Sequence, residues 1–364
     1  MSSFIELVTP FLRPSVFFTF FFTFIASRLI GINLSFLAFR RINKIQHKQH
    51  KQEENKHALP PSLRVLSHNV WAHYLVPAPG RLRRLRGLLK HIEEAQPKYD
   101  LVLLQELFLF QLGPFCLSNE VEEFCSKMFE LGFIYQSRPT ESLRGGILAN
   151  ILPMFPVQNS GLAIFSRYPL QSSTFEKFED TAELLNNKGI LHTQVSFHDH
   201  PLVNVITIHM DSRRRSQMSQ LSQIQRKLGS IPSNQSVIIA GDFNMSLHPV
   251  VSSATSARGS LRSVFDGERA TTYNISNTRK LLGYINQLTC GWLFPVVFSS
   301  YKNSRGIDHM FVSERVFSPQ RGKACIVGFE VPGSNEKVSD HMGLDVIMST
   351  NGQNLDKEKK KEQS

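Results

Sequence analysis

The sequence predicts an α/β fold with two β-sheets, and three observations lead there. Between residues 63 and 132, short apolar runs alternate with amphipathic stretches of helical period. From residue 161 onward short β-like runs dominate, with a single helical stretch among them. Strand–helix–strand units followed by a long series of strands read as an α/β protein with two sheets. The third observation is where the polar residues fall. Carboxylates, carboxamides and imidazoles stand at the ends of apolar runs, as in "VIIAGDFN" (237–244).

Taken in order, "LRVLSHNV" (63–70) alternates as a half-buried strand does. "GRLRRLRGLLKHIEEA" (80–95) places Leu82, Leu85, Leu88, Leu89 and Ile92 at helical spacing, with the arginines expected on the opposite face. "DLVLLQEL" (100–107) is a strand, and "SNEVEEFCSKMFELG" (118–132) a helix capped by Ser118 or Asn119 and stopped by Gly132. Strands follow at 161–167, 190–197 and 202–210, then a helix at 215–231. The apolar run Val237–Ala240, rich in β-branched residues, is a buried strand, and strands at 307–313, 323–331 and 342–348 complete the set. No internal repeat is visible.

Hydrophobic residues make up 41% of the 364 and charged residues 20%, enough for a sizeable core. The net charge of +11 suits an acidic partner: nucleic acid, phosphate groups or an anionic membrane. Part of that charge sits in solvated runs at 40–57 and 357–364. The four cysteines, Cys116, Cys125, Cys290 and Cys325, form no CxxC pair, which argues against a zinc cluster. They read as mostly buried free thiols in a reducing compartment.

Residues 1–40 differ from the remainder. Two phenylalanine-dense apolar stretches, 15–26 and 29–39, flank Ser27-Arg28. Together, residues 15–39 run 25 residues, about the length needed to cross a bilayer. A charge in mid-span is costly, so the expectation is either one spanning helix or two in-leaflet segments. Arg40, Arg41, Lys44, Lys48 and Lys51 follow at once, which keeps the main domain on the cytoplasmic side. The organisation expected is a membrane anchor (1–40), a basic linker (41–62), a main folded domain (63–348) and a disordered basic tail (349–364).

The polar residues at strand ends are Asn69, Glu106, His209, Asp242, Asn244, Asp308, Asp340 and His341. Taken singly, each has an ordinary explanation as a cap or turn residue. Taken together, Glu106, Asp340 and Asn69 offer hard oxygen ligands for Mg²⁺. His341 and His209 suit acid–base work around a phosphoryl group, and Asp308 suits the orientation of an imidazole. No HExxH, GxSxG or P-loop pattern competes.

In order, "SHNVW", "LLQEL", "GLAIFSR", "ITIHMDS", "GDFN", "GIDHMFV" and "SDHMGL" resemble the motifs of the endonuclease/exonuclease/phosphatase superfamily. The resemblance covers roughly 63–348. It implies a DNase I-like, four-layer α/β sandwich of two mixed sheets flanked by helices. It also implies Mg²⁺-dependent phosphoester hydrolysis, with Mn²⁺ as an alternative ion. By resemblance Glu106 is the main metal ligand, supported by Asn69 and Asp340. Asp242 and Asn244 face the scissile phosphate and the nucleophilic water. His341 is the general base held by Asp308, with Asp242 the competing proton acceptor, and His209 stabilises the phosphorane. The usual Thr-His pair is Ile208-His209 here.

One stretch narrows the substrate. "ELLNNKGILHTQV" (183–195) resembles an Asp-x4-Lys-Gly stretch of neutral sphingomyelinases, with Glu183 in place of the aspartate. The resemblance makes Lys188 a substrate-binding residue, a mobile point charge at a phosphate. The expected function is therefore a membrane-attached, neutral sphingomyelinase-like phosphodiesterase. Its substrate is a membrane lipid, and no protein partner is predicted. The apolar stretches 147–156 and 291–298 are expected to touch the bilayer. The alternative is a nuclease or other phosphodiesterase of the same superfamily. A non-catalytic membrane scaffold is the reading from another class, and it should have lost ligands that are all present here.

Overall fold

A computed structural model of the chain describes residues 58–73, 78, 80–112, 115–116, 119–137, 156–181, 187–198, 200–265, 272–274, 305–313 and 317–350. The expected anchor, most of the linker and tail, Glu183 and the stretch 291–298 lie outside the described residues, as does all of 147–156 but Pro156.

The elements run β1 (Ser62–Asn69), α1 (Arg81–Glu94), β2 (Leu101–Gln105), β3 (Phe110–Leu112), β4 (Phe115–Cys116) and α2 (Asn119–Glu130). Then come β5 (Tyr135–Ser137), β6 (Pro156–Gln158), β7 (Ala163–Ser166), β8 (Leu170–Lys177), β9 (Gly189–Val195), β10 (Val203–His209) and α3 (Arg214–Gly229). The last are β11 (Ser236–Asp242), α4 (Leu247–Ala257), β12 (Leu261–Ser263), β13 (Asp308–Ser313), β14 (Phe317–Val327) and β15 (Gly343–Thr350).

Two large sheets carry the fold, in the orders β14-β15-β1-β2-β7-β5 and β12-β13-β11-β10-β9-β8. Each is built around one parallel pair, β1 with β2 and β10 with β11. In each pair a helix, α1 or α3, makes the crossover that parallel strands require. The neighbours on either side, β15 and β7 or β9 and β13, are antiparallel. The two sheets thus share a plan that the sequence does not reveal as a repeat.

Strand periodicity sorts side chains into layers. Leu63, Val65, Leu101 and Leu103 meet Val205, Ile238 and Met310 between the sheets. Leu66, Val102 and Leu104 face Leu85, Leu88 and Ile92 of α1 and Phe124 and Met128 of α2. Ile206, Ile208, Val237 and Ile239 pack on Leu221, Ile224 and Leu228 of α3 and Val250 of α4. β2 and β11 are buried on both faces and read as continuous apolar runs, whereas β1, which alternates in sequence, is nonetheless buried from Val65 to Asn69. Each such side chain contributes roughly 1.5–3 kcal/mol of burial. The layers are helices, sheet, sheet and helices, as the resemblance implied.

Three expectations need correction. The arginines of α1 do not all face solvent: Arg84 is buried at 1% exposure beside Leu85 and Leu88. Of the described cysteines with described side chains, Cys125 is buried but Cys325 is exposed. The strand expected at 323–331 spans Phe317–Val327. β8 and α4 were not anticipated; β8 is a sheet-edge strand with mostly polar, exposed side chains, which hides its period. Among the described residues no helix is long and apolar enough to cross a membrane.

Candidate active site

Parallel pairing brings the carboxyl ends of four strands to one edge of the sandwich. Asn69 ends β1 opposite Gln105, with Glu106 next in the chain. His209 ends β10 opposite Asp242, the last residue of β11. Asp308 opens the antiparallel β13 opposite Asp242, and His341 lies just before β15. In α/β sheets this carboxyl edge is where ligands bind. Gly241 lets the two parallel strands close up there. Its φ is 150°, and a Cβ would lie 2.2 Å from the Ile208 carbonyl oxygen. That explains the glycine in "GDFN".

Asn69 Nδ2 donates to Glu106 Oε1 and to Asp242 Oδ2, each at 3.0 Å. Its Oδ1 accepts from the Trp71 amide, so the carboxamide oxygen is turned away from the carboxylates. His209 Nε2 stands 3.6 Å from Glu106 Oε1 and 3.6 Å from Asp242 Oδ2. On the far side, His341 Nδ1 meets Asp308 Oδ2 at 2.8 Å, and its Nε2 faces Asp242 Oδ2 at 3.8 Å. Asp242 therefore sits at the centre, between a Glu106 side and a His341 side. Glu106 holds a left-handed backbone, φ 58°, and Asn244 another, φ 51°. Strain of this kind in a non-glycine residue is typical of functional sites.

Burial sets the charge states. It raises the Asp242 carboxyl to about 7, helped by the Asp308 charge and opposed by His341. Burial pulls His341 down, but Asp308 and Asp242 outweigh it and hold the imidazole well above its ordinary value. His209 is driven well below its ordinary value, first by burial and then by Lys188. These shifts favour a protonated His341 beside Asp308 and Asp242, and a neutral His209 beside Lys188.

Glu106, His209 and Asp242 place one ligand atom each within 4.8 Å of one another, and Asp242, Asp308 and His341 form a second such group. Glu106 Oε2 is buried and finds no hydrogen-bond partner among the described residues. An unpaired buried carboxylate oxygen beside a second carboxylate fits a hard divalent cation, which takes few protein ligands and retains water. Asp340 stands outside both groups. It is buried next to His341 and accepts from Ser339 Oγ at 3.3 Å.

Lys188 is not a mobile surface charge: it is 4% exposed, and Nζ donates to the Met210 carbonyl at 3.1 Å. Several residues that shape the site escaped the sequence reading. Thr272 Oγ1 accepts from the Ile307 and Asp308 amides, and the Tyr273 ring meets His341 edge-on at 5.3 Å. Gln217 Nε2 donates to the carbonyls of Asp211 and Asn244. An open cleft of about 900 Å³ continues from Asn244 and Asp308 past Arg214, Met218, Leu247 and Arg305.

Residues 66–341 match the Endonuclease/Exonuclease/phosphatase family, and the chain belongs to that family. Among curated proteins it is similar to Sphingomyelinase C of Bacillus cereus, 28% identical over 201 residues, or 50% of this chain and 57% of that protein. The chain thus spans little more than half the length of that relative. Among solved structures it resembles SmcL, with a TM-score of 0.54 at 18% identity, covering 80% of this chain and 100% of that one. A humanized D. rerio TDP2 gives the same TM-score of 0.54 at 18% identity, again over 80% and 100%. These structural likenesses concern the fold.

Proposed function

We propose that the chain is a divalent-metal-dependent phosphodiesterase of the neutral sphingomyelinase type. It would cleave the bond between the phosphorylated head group and the ceramide-type alcohol of a membrane sphingolipid. The observation that carries the phosphoester chemistry is Asp242, set between the Asn69–Glu106 side and the Asp308–His341 side. The sequence likeness to Sphingomyelinase C favours the lipid over other phosphodiesters.

In this reading Glu106 and Asp242 hold the metal, with His209 beside them and Asn69 fixing both carboxylates. Mg²⁺ suits the oxygen donors best, and Mn²⁺ also accepts them. When bound, the metal neutralises charge that develops on the phosphoryl oxygens. Asp308 anchors His341 Nδ1, which leaves Nε2 and Asp242 Oδ2 facing each other as one proton-transfer unit. Asp242 Oδ2 would take the proton of the attacking water, the protonated imidazole would offset the charge of the phosphorane, and a proton from this pair would pass to the leaving ceramide-type oxygen as its bond to phosphorus breaks. Neutral His209 donates to a phosphoryl oxygen. Lys188 acts from beneath, through the Met210 carbonyl, and not as a surface contact to the phosphate.

Residues 15–39 would hold the enzyme on a membrane with its catalytic domain in the cytoplasm. The apolar length and the basic run after it support this. Release of full-length protein from membranes by high salt alone would overturn it, because salt screens only the basic linker.

A second reading, a nucleic-acid phosphodiesterase, draws on a comparable structural likeness to D. rerio TDP2 complexed with a single strand DNA product, with a TM-score of 0.55 at 17% identity. Purified full-length protein with Mg²⁺ should be offered sphingomyelin vesicles, an inositol phospholipid and abasic DNA in parallel. Hydrolysis of sphingomyelin is expected. Hydrolysis of DNA with none of sphingomyelin would replace the first reading by the second.

A further inference from the structure

Arg84 is the residue least explained by the chemistry above. It sits on the buried face of α1 at 1% exposure, where an apolar side chain would be the ordinary choice. Burying a guanidinium is unfavourable unless its donors are used. Its donors go to main-chain carbonyls of two separate segments. Nη1 donates to the Val70 carbonyl at 3.0 Å and to the Val338 carbonyl at 2.7 Å. Nη2 donates to the Trp71 carbonyl at 2.8 Å.

Both segments carry site residues. Val70 and Trp71 directly follow Asn69, and Trp71 is held at φ 47°. The Trp71 amide returns to Asn69 Oδ1, which turns Asn69 Nδ2 towards Glu106 and Asp242. Val338 leads into Ser339, whose Oγ accepts from the His341 amide at 3.2 Å and donates to Asp340. One planar cation therefore bridges the Glu106 side of the site to the His341 side from behind.

We propose that Arg84 is a positioning residue for phosphodiester hydrolysis: it locks the Asn69–Trp71 turn and the 338–341 segment in one mutual register. The proposal rests on the phosphodiesterase reading. Lysine should not replace it, because a point charge on a flexible stem cannot span three fixed carbonyls as the guanidinium fork does.

The fold supplies a matched control. Arg258 is also buried, at 8% exposure, and donates to the carbonyls of Ile231, Pro232 and Ser233 at 3.1, 3.1 and 3.0 Å. Those carbonyls precede β11, at the opposite end of that strand from Asp242. R84K and R258K therefore damage the same kind of contact, near the site and far from it.

The test uses full-length protein in non-ionic detergent. It measures melting temperature, Mg²⁺ affinity by calorimetric titration, and steady-state hydrolysis of bis(p-nitrophenyl) phosphate. R84K is expected to lower kcat by about 10–100-fold, the scale of a small misplacement of reacting groups, with KM little changed and Mg²⁺ binding weakened. R258K is expected to lower the melting temperature comparably and to leave kcat and Mg²⁺ affinity unchanged. Equal effects of the two variants on kcat and Mg²⁺ affinity would overturn the proposal, as would an R84K enzyme with wild-type values of both. If R84K does not fold, R84Q takes its place in the same comparison. A wild type that cleaves no phosphodiester would defeat the functional reading instead, and the Mg²⁺ titration would still decide on Arg84.

Discussion

Lys188 and Asn244 donate to one and the same oxygen, the Met210 carbonyl, at 3.1 and 2.8 Å. Met210 follows His209, so this single acceptor ties three site residues together. Lys188→Met should therefore do two things at once. It should destabilise the fold by about 1–3 kcal/mol, the range for an orphaned buried partner. It should also lower turnover by loosening Asn244. Melting curves and initial rates decide: a variant that loses turnover at an unchanged melting temperature would restore the substrate-contact role.

The 2.8 Å contact between His341 Nδ1 and Asp308 Oδ2 predicts a second result. Asp308→Asn keeps the shape but removes the charge that holds the imidazole above its ordinary value. His341→Ala removes the imidazole half of the proposed proton-transfer unit. Both should reduce kcat, His341→Ala by about 10²–10⁴-fold as for a lost general acid–base. Mg²⁺ affinity, which the proposed reading assigns to the Glu106 side, should change little by calorimetry.

Glu106→Gln should separate stability from function. It removes one carboxylate charge from a crowded acidic site, so the metal-free protein should melt higher than wild type. The rise in melting temperature on adding Mg²⁺, which follows the binding of a ligand to the native state alone, should disappear. An unaltered Mg²⁺ response would remove Glu106 from the metal site.

His68 gives a pH prediction. It is buried against Phe329, neither ring nitrogen makes a hydrogen bond of normal geometry among the described residues, and burial pushes it down to about 3. Below about pH 6.5 the unfolded chain takes up a proton that the folded one refuses. Stability should then fall as pH drops from ~6.5 towards ~3, by about 1.4 kcal/mol per unit from this residue. His68→Phe should flatten that slope in urea titrations at pH 7 and pH 5.5. An identical slope in both proteins would refute the assignment.

Much of the site was legible because it is built from local grammar. Apolar runs announce strands, and Asn69, Glu106, His209 and Asp242 interrupt them where the strands end. Parallel pairing then does the assembly, and the motif order revealed which strands take part. What stayed hidden depends on partners far off in the chain. Gln217, Gln220 and Gln223 look like the wet face of a helix. In the fold they point inward and donate to the carbonyls of Asp211, Asp180 and Lys177. Arg84 and Lys188 look like surface cations, and nothing nearby in sequence names the carbonyls they satisfy. The polar β8 carries too little apolar alternation to be seen before its neighbour β9 is known.

The pairing of β1 with β15 has a consequence for how the protein is made. Ser62 lies opposite Ser349, and Arg64 reaches across 281 positions to Asp345. On the ribosome, β1 must wait without that neighbour while nearly the whole domain emerges. Asp340 and His341 arrive just ahead of the closing strand. A nascent chain would therefore display Asn69, Glu106, His209 and Asp242 long before Asp308 and His341, and the candidate site would stay incomplete until synthesis of the domain was nearly finished.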